Sequence, residues 1–239
     1  MFDIFYIGGI YNISVIYTIV VFHTKKIQME INKLEKSLFS RWAKRRPEMA
    51  KDGVINESEY TKCKIKVLYI LKEVNDWKNG DLREFVAKGA RWRTWNNIAR
   101  WQNGIQNYFD NGITTFKNSV NENDRKKILK TIAVLNLKKE SGGPSSNMGQ
   151  IWHHANEDKD LLKEQIDLYD PNIIICCGTG GIVSELQLFE NIGEFKKTSN
   201  GTLFAKSEEK LVIQYLHPQC RKNKKLLFDN LLSSIEEIK

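Results

Sequence analysis

Four short apolar runs constrain this chain most: IKVLYIL at 65–71, TIAVLNL at 131–137, NIIICC at 172–177 and LVIQYL at 211–216. They are too short for helices and too uniformly apolar for surface strands, so they read as strands buried on both faces. Helical patterns separate them. Leu34, Leu38, Phe39 and Trp42 recur at helical spacing until Pro47, and further helices are expected over 81–89, 94–109, 122–130, 157–169 and from the lysines after 217 to about Ile238. Gly178-Thr179-Gly180-Gly181 opens another, and 193–206 has a weak hairpin pattern. A β-α-β-α order implies a three-layer α/β/α sandwich around a mostly parallel, four-stranded sheet. Ligands on such sheets bind beyond the C-terminal strand ends. The informative residues are therefore those just after each run, including the long Gly/Ser/Pro loop KKESGGPSSNMGQ at 138–150.

Residues 2–22 form an almost uncharged apolar stretch followed by Lys25-Lys26, long enough to cross a bilayer. Three readings stay open for 1–28: an upstream extension ahead of a start at Met29, a membrane anchor, and a buried segment. The domain proper is expected at 29–239. Asp3, Lys25 and Lys26 are the charges of the first 28 residues, so the formal net charge of +8 belongs mainly to the domain. That surplus favours a polyanionic partner, nucleic acid before anionic membrane. With 41% hydrophobic and 28% charged residues, the composition excludes disordered, collagen-like and disulfide-scaffold classes. Cys63, Cys176, Cys177 and Cys220 lack zinc-site spacing. No metal is expected, and reduced cysteines point to the cytoplasm.

Several segments carry two readings. The GTGG turn exposes backbone N–H groups at a helix start, as a phosphate loop does, and equally fits a tight strand-to-helix turn. His153-His154 reads as a metal pair or as a surface pair. RWRTWNNIARW at 91–101 suits phosphate contacts and base stacking, and also an amphipathic helix with its tryptophans inward.

The set formed by LYILKEVND after the first run, IAVLNLKKE around Asn136, and QYLHPQCR after the last resembles the uracil-DNA glycosylase superfamily. Members carry a GQDPY- or GEAPG-type motif after an early strand, an Asn at the end of a middle strand, and an HPS-type motif after the last. The DPNIIICCGTGG segment is similar to their strand-plus-glycine turn. Lys72 stands where the family has Gly, Asn75 where Pro is usual, and Gln219 where Ser is usual. The cysteine spacing of the iron-sulfur branches is missing.

The resemblance implies hydrolysis of an N-glycosidic bond through an oxocarbenium-like sugar. Glu73 takes the place of the water-orienting carboxylate, with Asp76 or Asn75 as fallback. Asn136 would read the O4 and N3 edge of a flipped base. His217 would donate to O2 and stabilise the leaving base. Trp77, or one of Trp92, Trp95 and Trp152, would stack on it. Ser145, Ser146, Gly178 and the Arg221-Lys222 loop are the expected phosphate contacts. The expected partner is DNA, single-stranded or duplex with one base flipped, bound by a monomer without cofactor or metal cluster; membrane contact follows only if 2–22 is an anchor. Two competing classes remain: a catalytically silent member of the fold that binds nucleic acid or nucleotide, and a membrane-anchored protein whose basic face serves anionic lipid.

Overall fold

The computed structural model describes residues 31–75, 78–143 and 145–239. The apolar stretch at 2–22, Asp76 and Trp77 lie outside them. Among the described residues no helix is long and apolar enough to cross a membrane.

Three of the apolar runs become strands in which every position is buried: β2 (Val67–Leu71), β3 (Ile132–Asn136) and β4 (Ile173–Cys177). Strict alternation divides their side chains. Val67, Tyr69, Leu71, Ile132, Val134, Ile173, Ile175 and Cys177 enter one core, and Leu68, Ile70, Ala133, Leu135, Ile174 and Cys176 enter the other. The first core is covered by α3 (Leu82–Ala87), α4 (Arg93–Asn111), α5 (Glu122–Leu129) and α9 (Lys224–Ile238). The second lies under α1 (Ile31–Arg45), α6 (Met148–Glu157), α7 (Lys159–Tyr169) and α8 (Gly180–Glu185). A short α2 (Glu57–Thr61) precedes β2. Helices thus lie on both faces of one sheet.

Among the described residues that sheet has seven strands and is mixed, where a mostly parallel four-stranded sheet is expected from sequence; its order is β1-β3-β2-β4-β7-β6-β5. The four apolar runs form its parallel centre, with β7 at Leu211–Tyr215. The additions are antiparallel edges: β1 (Gly53–Val54) on β3, and the hairpin of β5 (Lys196–Lys197) and β6 (Leu203–Lys206) on β7. A two-residue strand has no periodicity to read, so β1 left no signal, whereas β5 and β6 form the hairpin indicated weakly over 193–206. The loop expected over 138–150 also ends early, because the Asn147 side chain accepts from the Gln150 N–H and starts α6.

Parallel register aligns the strand ends. Leu71 pairs with Asn136, and Cys177 with Tyr215. The chain therefore leaves β2, β3, β4 and β7 at one rim. β2 sits between β3 and β4, so the direction of winding reverses there, and a crevice opens where the two crossovers part.

A buried charge cluster ties that rim to the second helix layer. Asp52, 1% exposed, accepts from the Lys139 ammonium at 2.7 and 2.8 Å, from Gln165 Nε2 at 2.8 Å and from the Asn136 backbone N–H at 2.6 Å. Lys139 also donates to Gln165 Oε1 at 2.8 Å and lies 4.4 Å from the centre of the Trp42 ring. Removing one member of such a pair leaves a buried charge without its counter-charge, which costs more than the pair gains. Lys139→Met is expected to destabilise the fold by about 3–5 kcal/mol, read as a fall in the urea midpoint.

Candidate functional site

At the rim, the loops leaving β2 and β3 run side by side. Leu137 N–H donates to Leu71 O at 3.1 Å, Lys138 N–H to Lys72 O at 3.0 Å and Gly142 N–H to Val74 O at 2.8 Å. This zipper fixes Glu73. Its side chain is 6% exposed and meets the Lys138 ammonium at 2.7 Å, while Lys138 also donates to Ser141 O. Gly142 lies against the Glu73 carboxyl so closely that a Cβ there would overlap it.

On the far side, the turn after β7 presents His217. The Gln219 N–H donates to His217 Nδ1 at 3.2 Å, so the neutral ring carries its proton on Nε2 and is a donor there. Burial, and then the positive charge of Lys72, push this imidazole down to about 4 from its ordinary 6.5. Helix α4 braces the turn, with Asn97 Nδ2 donating to Pro218 O at 2.7 Å.

Asn136 closes the floor between them. It is 2% exposed; its Nδ2 is turned toward Asp52 at 3.2 Å, and its Oδ1 is buried without a hydrogen-bond partner. A buried amide oxygen left unpaired costs about 1–3 kcal/mol, so its presence calls for an explanation.

Glu73, Asn75, Asn136, His217 and Gln219 line one cavity of about 100 Å³, walled by Leu71, Val74, Leu82, Trp92 and Trp95. Six residues singled out from sequence, Glu73, Asn75, Trp92, Trp95, Asn136 and His217, are therefore brought together from positions as far as 144 residues apart in the chain. The arrangement offers one acceptor, one neutral donor and one carboxylate inside largely apolar walls, which is the inventory of a small-molecule pocket.

Among the described residues, the remaining expected contacts lie elsewhere, while Asp76 and Trp77 fall outside those residues. Gly178 borders a separate open groove of about 420 Å³ with Gly180, Gly181, Asn200, Leu216 and Lys222. Its N–H donates to Tyr215 O at 2.7 Å and to Cys176 O, and the Thr179 hydroxyl donates to Ile70 O, so GTGG is a strand-to-helix turn with its first donor spent internally. Ser145, Ser146 and Arg221 do not line the cavity. Trp152 packs against the second core, which removes it as a stacking residue for this pocket.

The basic-aromatic stretch follows the amphipathic reading. Trp95, Ile98 and Trp101 are core, Arg100 donates to Lys117 O, Asn118 O and Asn97 Oδ1, Arg93 donates to Lys222 O, and Arg91 pairs with Glu122. Trp92 is the exception, 59% exposed at the cavity mouth with its ring 4.9 Å from Phe85. His153 faces Glu157 and His154 faces Glu140, and among the described residues no group of side chains could hold a metal. Cys176 and Cys177 are buried in the sheet, and burial pushes the Cys176 thiol up to about 12.

Sequence reasoning missed Lys138 and Asp52. Lys138 was accessible to it: two residues beyond Asn136, it falls on the same side of an extended chain. Asp52 was not, since nothing near it in sequence marks a partner 84 residues away.

No family model matches the chain, and no curated protein matches it.

One consequence is directly measurable. His217 binds fewer protons folded than unfolded between about 6.5 and 4, so acidification through that window removes stability. Ring-nitrogen NMR is expected to show a neutral, Nε2-protonated imidazole down to about pH 5 and titration near 4; titration near 6.5 would contradict the buried placement.

Proposed function

We propose that the chain is a DNA base-excision hydrolase of the uracil-DNA glycosylase type, with the cavity between Glu73, Asn136 and His217 as its base pocket. The observation that carries this reading is the buried, unpartnered Oδ1 of Asn136, a residue that lines a pocket also offering a neutral imidazole donor. A uracil ring supplies both complements, an N3–H for the amide oxygen and an O2 for His217 Nε2–H. The order of the three residues on a parallel sheet supports the same fold family.

Glycosidic cleavage leaves a cation-like sugar and an anionic base. His217 Nε2–H donates to the departing base and spreads its charge without having to be protonated. Glu73 accepts a hydrogen bond from the attacking water and directs its oxygen at the anomeric carbon. Trp92 and Trp95 give the flipped base apolar walls. The substrate is DNA with one base extruded, and the reaction as drawn requires no cofactor.

The Glu73–Lys138 pair favours a second reading, in which the fold binds nucleic acid and has lost its chemistry, because a neutralised carboxylate stabilises a cation less well.

Both readings are separated by incubating the purified protein with single-stranded and mismatched duplex oligonucleotides containing one uracil, then scoring alkali-labile abasic sites. Abasic sites are expected, with Glu73→Gln and His217→Ala each slowing their formation about a hundredfold or more. Gly142→Ala is expected to lose activity comparably, since the added methyl displaces the Glu73 carboxyl. Salt-sensitive binding without any abasic product would instead establish the binding reading.

A further inference from the structure

The hydrogen bonding of Asn136 goes further than the presence of a pocket. A carboxamide can present either its oxygen or its NH₂, and the two ends select opposite partners. Here the choice is made behind the pocket wall. Asp52 Oδ2 receives the Asn136 backbone N–H at 2.6 Å and Nδ2 at 3.2 Å. The same carboxylate takes the Lys139 ammonium on both oxygens and Gln165 Nε2 on Oδ1. Both of its oxygens already accept from donors, so it faces Asn136 as an acceptor. A flipped Asn136 would set its own oxygen against that acceptor, so Nδ2 stays on Asp52 and Oδ1 is the end left for the cavity.

We infer that Asp52 is a positioning residue that sets specificity: by locking the Asn136 carboxamide oxygen-inward, it restricts the pocket to bases whose edge carries a ring N–H. The inference rests on reading the cavity as a base pocket. Uracil, thymine and hypoxanthine present such an N–H. Cytosine and adenine present a bare ring nitrogen there, whose lone pair would face the amide oxygen with no proton between them. Buried groups left unpaired in this way are the strongest source of discrimination between ligands of equal size. Asp52 is 1% exposed and does not line the cavity, so it acts through Asn136. Gln165 serves as a brace, since it donates to Asp52 and to the Tyr169 hydroxyl at 2.7 Å and accepts from Lys139.

The test uses the full chain, titrated with free uracil and free cytosine while following tryptophan fluorescence, because Trp92 and Trp95 line the cavity. The wild type is expected to prefer uracil. Asp52→Asn, which no longer demands a donor from Asn136, is expected to shrink that preference by about tenfold or more, partly through gained cytosine binding. Leu162→Ala, a core truncation on the helix that carries Gln165, is expected to lower stability and leave the preference unchanged. An unchanged preference in folded Asp52→Asn overturns the inference and leaves the base pocket standing. A wild type that binds neither base overturns the pocket reading, and the inference with it. Should Asp52→Asn fail to fold, the Asn136 side-chain NH₂ resonances of the wild type decide. Slow solvent exchange supports the lock, and exchange as fast as a free amide overturns it.

Discussion

The rim depends on one buried carboxylate. Asp52 precedes the edge strand β1, yet it gathers donors from β3, from the residue three positions past β3, and from α7. Each donor lies where backbone geometry alone would leave freedom. The two-residue β1 pairs with β3 over just two residues, and the post-β3 chain has left the sheet by Lys139. An ion in an apolar interior tolerates few arrangements, because every donor lost exposes charge to a medium that cannot solvate it. The cluster therefore holds the strand end far more narrowly than apolar packing would. It extends outward: Tyr169 links Gln165 to Glu35, which also accepts from the Val54 N–H and pairs with Arg83, so α1, β1, α3 and α7 share one polar brace.

Electrostatics in the cavity follow from this rigidity. His217 stays neutral because burial and Lys72 both oppose a second proton, and a neutral imidazole can still donate through Nε2. Lys72 departs from the residue usual at that place in the family the chain resembles. Its stem approaches the position a Cβ on Gly178 would occupy, 3.5 Å away, as does His217. Those are ordinary contact distances, so it is the positive φ of 71° at Gly178, and not the space beside it, that favours glycine in the turn after β4.

The fold was legible where burial is two-sided. β2, β3 and β4 are buried at every position, so their sequences are apolar without alternation and stand out against the helices. The edges were less so: β1 has two residues and owes its pairing to its neighbour, and the β5–β6 edge showed only as a weak hairpin pattern over 193–206. Helix α6 escaped for a different reason. Its Met148-Gly149-Gln150 start follows a Gly/Ser/Pro stretch, and only the capping geometry of Asn147 marks the boundary. At the site, Glu73, Asn136 and His217 were readable because strand ends on a parallel sheet converge. Asp52 and Lys138 were not singled out, because their importance lies in which side chain they meet.

The ion pair at Glu73 separates two things a carboxylate can do in such a pocket. Stabilising a cationic sugar depends on net charge, and a Lys138 ammonium at 2.7 Å cancels most of that field at the distance of a substrate. Orienting a water depends on a free lone pair held in a fixed direction, and pairing improves that. Lys138 bonds Oε2, leaving Oε1 without a competing donor among the described residues, while the close approach of Gly142 limits how the carboxyl can turn. The geometry thus suits Glu73 to aiming a nucleophile rather than to acting as a counter-ion. In the proposed reaction this leaves charge stabilisation to the departing base, where His217 Nε2–H is the donor, while the oxygen-inward Asn136 recognises the ring N–H and does not stabilise the anion.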